Sequence, residues 1–266
     1  MNRTINVSQV SLLKMYPHLA RFGPITIPTF GAVAALGLVL AILLAARGAR
    51  VMRISEDAVW NLCLFTAGGT LLLSRVVIVV QVWKAFLHYP LYILTLPTVT
   101  RFGLLLALLC GVVYMLFKRL PWLRTADAVA PAILLLQGAL HLGTLFSGDD
   151  LGAATTSPMG HLIRADDGYH PVALYSAVLS LMAAAVAFAW LHRESQTGET
   201  FGLSLTMAAL IRFFIDEFRP TYVLPDAFVG GFLRIDQLLL TLLAAAGLCF
   251  FFTRGKRLEQ GAHYAQ

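Results

Sequence analysis

Seven stretches of this chain carry almost no charge, and most come close to the length a helix needs to cross a bilayer: roughly residues 25–46, 58–82, 100–117, 127–146, 171–191, 201–216 and 234–252. About 20 consecutive apolar residues span the hydrocarbon core as a helix. The pattern predicts an all-α fold, a polytopic integral membrane bundle of about seven transmembrane helices. Composition agrees, since 58% of the 266 residues are apolar, 13% are charged and mean hydropathy is +0.76. Soluble domains are apolar over roughly 45–50% of their residues. These values exclude a disordered chain and speak against an ordinary soluble enzyme. The chain is read as one membrane domain over 1–266, with an extracytoplasmic segment at 1–24, the bundle at 25–252 and a cytoplasmic tail at 253–266. The third and sixth runs are short, as spans that line protein-walled cavities often are.

Pro17 and Pro24 interrupt the first 24 residues, which lack the continuous apolar core of a cleavable signal peptide, so the segment is expected to be retained. Cys63, Cys110 and Cys249 lie inside apolar runs without CxxC spacing and read as small packing residues. The formal charge of +6 sits in short clusters at the ends of apolar runs. That placement suits anionic lipid head groups and excludes nucleic acid as a partner. Short loops rich in Lys and Arg stay cytoplasmic. Arg47, Arg50 and Arg53, then Lys118, Arg119 and Arg124, then Arg254, Lys256 and Arg257 mark one such side. The expected orientation is N terminus outside and C terminus inside, which puts the acidic 147–170 loop on the outer face.

An ionisable side chain within a membrane helix is costly and normally faces a partner or a wet cavity. Arg75 in the second run reads either as snorkelling or paired, or as functional. Arg212, Asp216 and Arg219 repeat at i, i+4 and i+7, which sets them on one helical face. Two guanidiniums around one carboxylate leave a positive charge in excess, and an Arg fork suits a phosphate oxyanion. The alternative is an ion-pair ladder that locks the helix against its neighbours. In the fourth run Gln137, His141 and Thr144 share a face, and His141 is a candidate general base beside the structural role that buried histidines often play. His161, Asp166, Asp167 and His170 lack the spacing of a metal site, and neither metal nor cofactor is expected. No GxSxG, Walker A, GxGxxG or CxxC motif occurs in the chain.

Tyr16-Pro17, Ser74-Arg75, His170-Pro171 with Tyr175, Arg212-Phe213 with Asp216 and Arg219, and Asp236-Gln237 follow one another along roughly residues 16–250, and in this order they resemble the prolipoprotein diacylglyceryl transferases of bacterial inner membranes. Tyr16-Pro17, Phe22-Gly23-Pro24-Ile25-Thr26-Ile27 and Phe30-Gly31 are similar to the opening segment of that family, with Phe30 where the family has Tyr. Ser74-Arg75 resembles its Gly-Ala-Arg element, and Asp127 to Pro131 with Gln137-Gly138 the lead into its main motif. His170-Pro171 with Leu174-Tyr175 resembles its Arg-His-Pro segment. Gly198, Gly202, Arg212-Phe213, Asp216 and Arg219 resemble its Gly-x-x-x-Gly and Arg-Phe-x-x-Glu run, and Asp236-Gln237 its Gly-Gln. The departures fall on the family's active site. Phe102-Gly103-Leu104 stands in place of His-Gly-Gly, His141 and Thr144 in place of the main motif's Arg and Asn, and Asp149 and Asp216 in place of two Glu residues. Tyr169 replaces the arginine of the Arg-His-Pro segment.

The resemblance implies transfer of the diacylglyceryl group of phosphatidylglycerol to the lipobox cysteine of a prolipoprotein, with release of glycerol phosphate. The implied partners are an anionic phospholipid and the signal-peptide region of a prolipoprotein. On this reading His141, Arg212, Asp216 and Arg219 are the catalytic candidates. Arg212 and Arg219 hold the phosphate, Asp216 orients them and His141 is the acid or base. Thr144, Asp149, His170, Tyr175 and Gln237 join the two arginines as candidate lipid-binding residues. Two other classes stay open: a phospholipid-binding or transporting protein without turnover, and an ion or proton pathway through Arg75, His141 and Asp216.

Overall fold

The computed structural model describes residues 18–22, 25–88, 99–148, 150–157, 168–193, 196–220, 228–229 and 233–263. Within them the chain forms helices α1 (Thr29–Val51), α2 (Glu56–Gln81), α3 (Trp83–His88), α4 (Arg101–Phe117), α5 (Trp122–Ser147), α6 (Val172–Leu191), α7 (Glu199–Asp216) and α8 (Ile235–His263). Strands β1 (His18–Phe22) and β2 (Ile25–Pro28) pair antiparallel, as do the short β3 (Phe228–Val229) and β4 (Leu233–Arg234). Five helices are long and apolar enough to cross a membrane: α1, α2, α5, α6 and the Ile235–Thr253 part of α8. The 17-residue α4 is apolar but shorter. The chain is a multi-pass helical membrane protein.

The expected first span is shifted at its start. Residues 25–28 pair with 18–22 as a hairpin, and the helix begins only at Thr29, behind Pro28 at its N-cap. Proline donates no N–H, and just ahead of a helix none is needed. Elsewhere the helix starts follow local chemistry. The Ser55 hydroxyl accepts the Ala58 N–H at 3.2 Å, with Glu56 and Asp57 in the first turn of α2, where negative charge suits the helix dipole. Thr100 caps α4 by accepting the Gly103 N–H at 3.0 Å, while its own N–H donates to Ser74 Oγ on α2 at 3.0 Å.

Small residues decide which helices touch. Without a hydrophobic driving force between helices in lipid, close backbone approach and packing supply the attraction. The buried face of α1 includes Gly37, Ala41, Ala45 and Gly48, and it runs antiparallel to α5. A Cβ on Gly37 would overlap Ala139, one on Gly48 would overlap the Ala128 backbone, and one on Gly143 would lie 2.9 Å from Phe30 Cδ2. In the same way α6 lays Ala183, Ala184 and Ala187 on Leu134 of α5. The α7–α8 crossing is closest at Gly202, where a Cβ would stand 2.7 Å from the Gly247 carbonyl oxygen. Helices α1, α5, α6, α7 and α8 form the body of the bundle, and the antiparallel α2–α4 pair leans on it through α1.

These contacts fix the two ends of the molecule. One end gathers the starts of α1, α6 and α8 with the finishes of α5 and α7. The opposite end holds the α1–α2 turn and the starts of α5 and α7. There Asp127, 1% exposed near the start of α5, accepts the Gly198 N–H at 2.5 Å and the Phe201 N–H at 2.8 Å. A carboxylate from one helix thus satisfies the amides that begin another. Gly198 itself has φ +104°, a conformation that side chains other than glycine rarely adopt.

Candidate functional site

Charge collects where α5 and α7 finish. Helix α7 ends at Asp216, so Arg212 is one turn inside it, and Arg219 follows just past the terminus, where cations suit the dipole. Asp216 is almost wholly enclosed, and both guanidiniums reach it: Arg212 Nε donates to Oδ2 at 2.8 Å, and Arg219 Nε lies 3.1 Å from Oδ1. The sequence pattern of one carboxylate between two arginines is therefore realised in space.

The excess positive charge read from that pattern is not. Gly148 caps α5 in the left-handed conformation (φ +81°), and Asp150 adopts φ +62°, one of three non-glycine residues with positive φ among the described residues. The Asp150 carboxylate meets Arg219. NH1 donates to Oδ1 at 2.5 Å and NH2 to Oδ2 at 2.8 Å, a bidentate pair with both side chains mostly covered. Asp150 thus takes both terminal nitrogens of Arg219, while its Nε stands at ion-pair distance from Asp216 without a hydrogen bond. Both terminal nitrogens of Arg212, in contrast, have no hydrogen-bond partner among the described residues, and its side chain is 49% exposed. Of the two arginines expected to face a phosphate, Arg219 has its terminal nitrogens paired with Asp150, and Arg212 has its terminal nitrogens without a hydrogen-bond partner among the described residues.

The candidate base lies alongside. His141 is half-buried on the last turns of α5, close enough to Asp150, Arg219 and Arg212 to feel their charges. Among the described residues nothing hydrogen-bonds its ring. Thr144, on the same face, spends its hydroxyl on the His141 carbonyl oxygen at 2.8 Å. Gln237, a candidate lipid-binding residue, is buried: its amide donates to Glu217, and its Oε1 accepts the Arg234 N–H at 3.4 Å. Arg234 extends the cluster towards Asp236 at 3.3 Å and Glu217 at 3.8 Å.

One wall of this end is aromatic. The rings of His170, Tyr175 and Phe218 pack on one another, tilted or edge-on, at centroid distances of 5.0 to 6.4 Å. Backbone bonds hold that wall against the Asp150 segment: Ala153 N–H donates to Phe218 O at 2.7 Å, Gly152 N–H to His170 O at 2.9 Å and His170 N–H to Ala153 O at 3.0 Å. Gly152 sits where the three segments meet, and a Cβ there would lie 2.6 Å from His170 O and 2.7 Å from Phe218 O. The structure thus brings His141, Thr144, His170, Tyr175, Arg212, Asp216, Arg219 and Gln237 to one end of the bundle. Asp149, His161, Asp166 and Asp167 lie outside the described residues.

Sequence reasoning missed Asp150, Glu217 and Asp236 as members of the cluster, and Asp127 as the cap of α7. A signal for Asp150 was present: acid just past the finish of a helix opposes the dipole and calls for a cation. Arg75 belongs to a different neighbourhood, on α2, which packs chiefly with α1 and α4. Phe102, at the position where the resembling family carries His, is exposed on the first turn of α4.

Among the described residues, this is a multi-pass helical membrane bundle with an ion-paired cluster at one end, in which the Arg212 terminal nitrogens have no hydrogen-bond partner. The family model for prolipoprotein diacylglyceryl transferase matches residues 17–253, and the chain belongs to that family. Its relatives include proteins named phosphatidylglycerol–prolipoprotein diacylglyceryl transferase. That of Bacillus cytotoxicus is 25% identical over 96% of this chain and 99% of its own length. The Trichormus variabilis protein is 25% identical, covering 91% and 92%, and the Clostridioides difficile protein is 26% identical, covering 84% and 89%.

Proposed function

We propose that this chain transfers the diacylglyceryl group of phosphatidylglycerol to the thiol of a lipobox cysteine in a prolipoprotein, in the bacterial inner membrane. The observation that carries the reading is Arg212: half-exposed, steadied through Nε by buried Asp216, with both terminal nitrogens open beside His141. The N-outside, C-inside orientation puts this cluster at the outer surface of the membrane.

In the proposed step the sulfur–carbon bond forms at the glyceryl carbon as the carbon–oxygen bond to phosphate breaks. The oxygen keeps the electron pair and leaves as glycerol phosphate, gaining negative charge. Donors aimed at that developing charge are the largest source of acceleration in such reactions. The Arg212 fork supplies them. The thiolate is the nucleophile, and His141 takes the thiol proton. Arg219 and Asp150 position Asp216 and the end of α7 and make no contact with substrate.

Transfer of labelled diacylglyceryl to a lipobox peptide by the purified protein tests this. With folding checked by thermal unfolding, Arg212→Ala is expected to lower transfer by roughly 10²–10³-fold. An unchanged rate in that variant overturns the assignment. The second reading, lipid binding without turnover, draws on Phe102 in place of the family's His. Retained phosphatidylglycerol binding with no transfer by the unaltered chain would select it.

A further inference from the structure

The far end of the bundle holds a second charged recess. Helix α1 runs from Phe30, packed on Gly143 beside the Arg212 cluster, to Arg50, next to the Gly48–Ala128 contact at the start of α5. Twenty residues of helix are about 30 Å long, the thickness of the hydrocarbon core. The recess therefore lies in the opposite headgroup layer and shares no residue with the first cluster. It is a cleft of about 260 Å³ between the finish of α1 and the start of α2.

Four charges line it and sum to zero: Arg47, Arg50, Glu56 and Asp57. Two are spent on each other. Arg50 Nε and NH2 donate to Glu56 Oε1 and Oε2, both at 2.7 Å, a bidentate clasp across the turn. Arg47 and Asp57 remain exposed, and among the described residues neither forms an ion pair. The cleft thus offers one free cation and one free anion on a braced rim. Below it the lining turns apolar, with Leu43 and Trp60. Leu43 heads an exposed stripe on α1 with Leu40 and Leu36, and Trp60 one on α2 with Leu64 and Leu71. Those spacings keep each stripe on one helical face. Tryptophan at such a level is typical of the membrane–water boundary.

We infer that this cleft binds the headgroup of a zwitterionic phospholipid with a primary amine, phosphatidylethanolamine, from the leaflet at the α1–α2 turn. Its phosphate meets Arg47, its ammonium donates to the Asp57 carboxylate, and its acyl chains follow the two apolar stripes. An anionic headgroup satisfies Arg47 but leaves Asp57 facing like charge. A choline headgroup brings no N–H donor to that carboxylate.

Native mass spectrometry of the full chain, titrated with phosphatidylethanolamine, phosphatidylcholine and phosphatidylglycerol of identical acyl chains, tests this. The expected result is phosphatidylethanolamine bound about tenfold tighter than phosphatidylcholine. Arg47→Ala and Asp57→Asn each remove that preference, and Arg212→Ala leaves it in place. Water-soluble glycerophosphoethanolamine, which lacks acyl chains, is expected not to compete. Equal binding of the ethanolamine and choline lipids, or a preference that survives both cleft variants, overturns the inference. Full competition by the soluble headgroup overturns its lipid source. Asp57→Asn preserves side-chain shape, so its result does not depend on a folding defect. A result at this end leaves the assignment of Arg212 untouched.

Discussion

Arg212 and Arg219 differ by what already occupies them. Asp150 holds both terminal nitrogens of Arg219, so replacing Asp150 leaves a mostly covered guanidinium with two more unpaired nitrogens. Breaking one partner of such a pair costs about 3 kcal/mol. Asp150→Ala is accordingly expected to lower unfolding stability by that order. A double-mutant cycle with Arg219→Ala should show strong coupling, and additive losses in reversible unfolding would contradict the pairing. Arg212→Lys keeps the charge but loses the planar fork. The loss of one charge-assisted hydrogen bond, about 1.5–3 kcal/mol, corresponds to transfer slower by about 10–100-fold, with stability unchanged. Wild-type rate in Arg212→Lys would show that a point charge suffices. For His141→Ala the expected signature is a rate drop of about 10²–10⁴-fold together with loss of the acidic limb of the rate–pH profile. A limb that persists would place the base elsewhere.

The helices show which parts of the structure the sequence makes readable. Long apolar runs announce membrane helices because the bilayer sets their length, and α1, α2, α5, α6 and α8 follow that rule closely. Local hydropathy carries no comparable mark for the β1–β2 hairpin, which borrows the first four residues of the expected first span. Nor does it reveal pairings between distant residues. Asp150 meets Arg219 across 69 positions, and Asp127 meets Gly198 across 71. The i, i+4 spacing of Arg212 and Asp216 was legible because one helix determines it, while Arg219 follows just past its end. Which guanidinium stays open was not, since that depends on the long-range pairing of Asp150 with Arg219. The cap on α7 makes its own prediction. Asp127→Ala strands the Gly198 and Phe201 amides in a dry interface, at a cost of about 1–3 kcal/mol for each unsatisfied group. Thermal unfolding should report a clear destabilisation, and a neutral result would mean that other groups satisfy those amides. At the α7–α8 crossing, Gly202→Leu forces side-chain atoms into the Gly247 backbone and is expected to cost about 1–3 kcal/mol or more.

At the scale of the whole molecule, the bundle separates two charged ends by one helix length. Its ion-paired cluster sits at one and the Arg47–Asp57 cleft at the other. The proposed orientation sets the cluster outside, and basic residues such as Arg47, Arg119 and Arg124 favour the opposite end as cytoplasmic. A reporter enzyme active only outside the membrane, fused after residue 266, is expected to stay inactive; activity there would invert the orientation.

The central claim is that this chain, with His141 and Phe102 where its family carries other residues, is an active transferase. Mass spectrometry of a lipobox peptide incubated with the purified protein in phosphatidylglycerol tests it most directly, with a Cys→Ser peptide as control. The account predicts a peptide heavier by one thioether-linked diacylglyceryl group, equimolar release of glycerol phosphate and no product from the serine peptide. An unmodified cysteine peptide, with phosphatidylglycerol bound to the protein and intact, would contradict it.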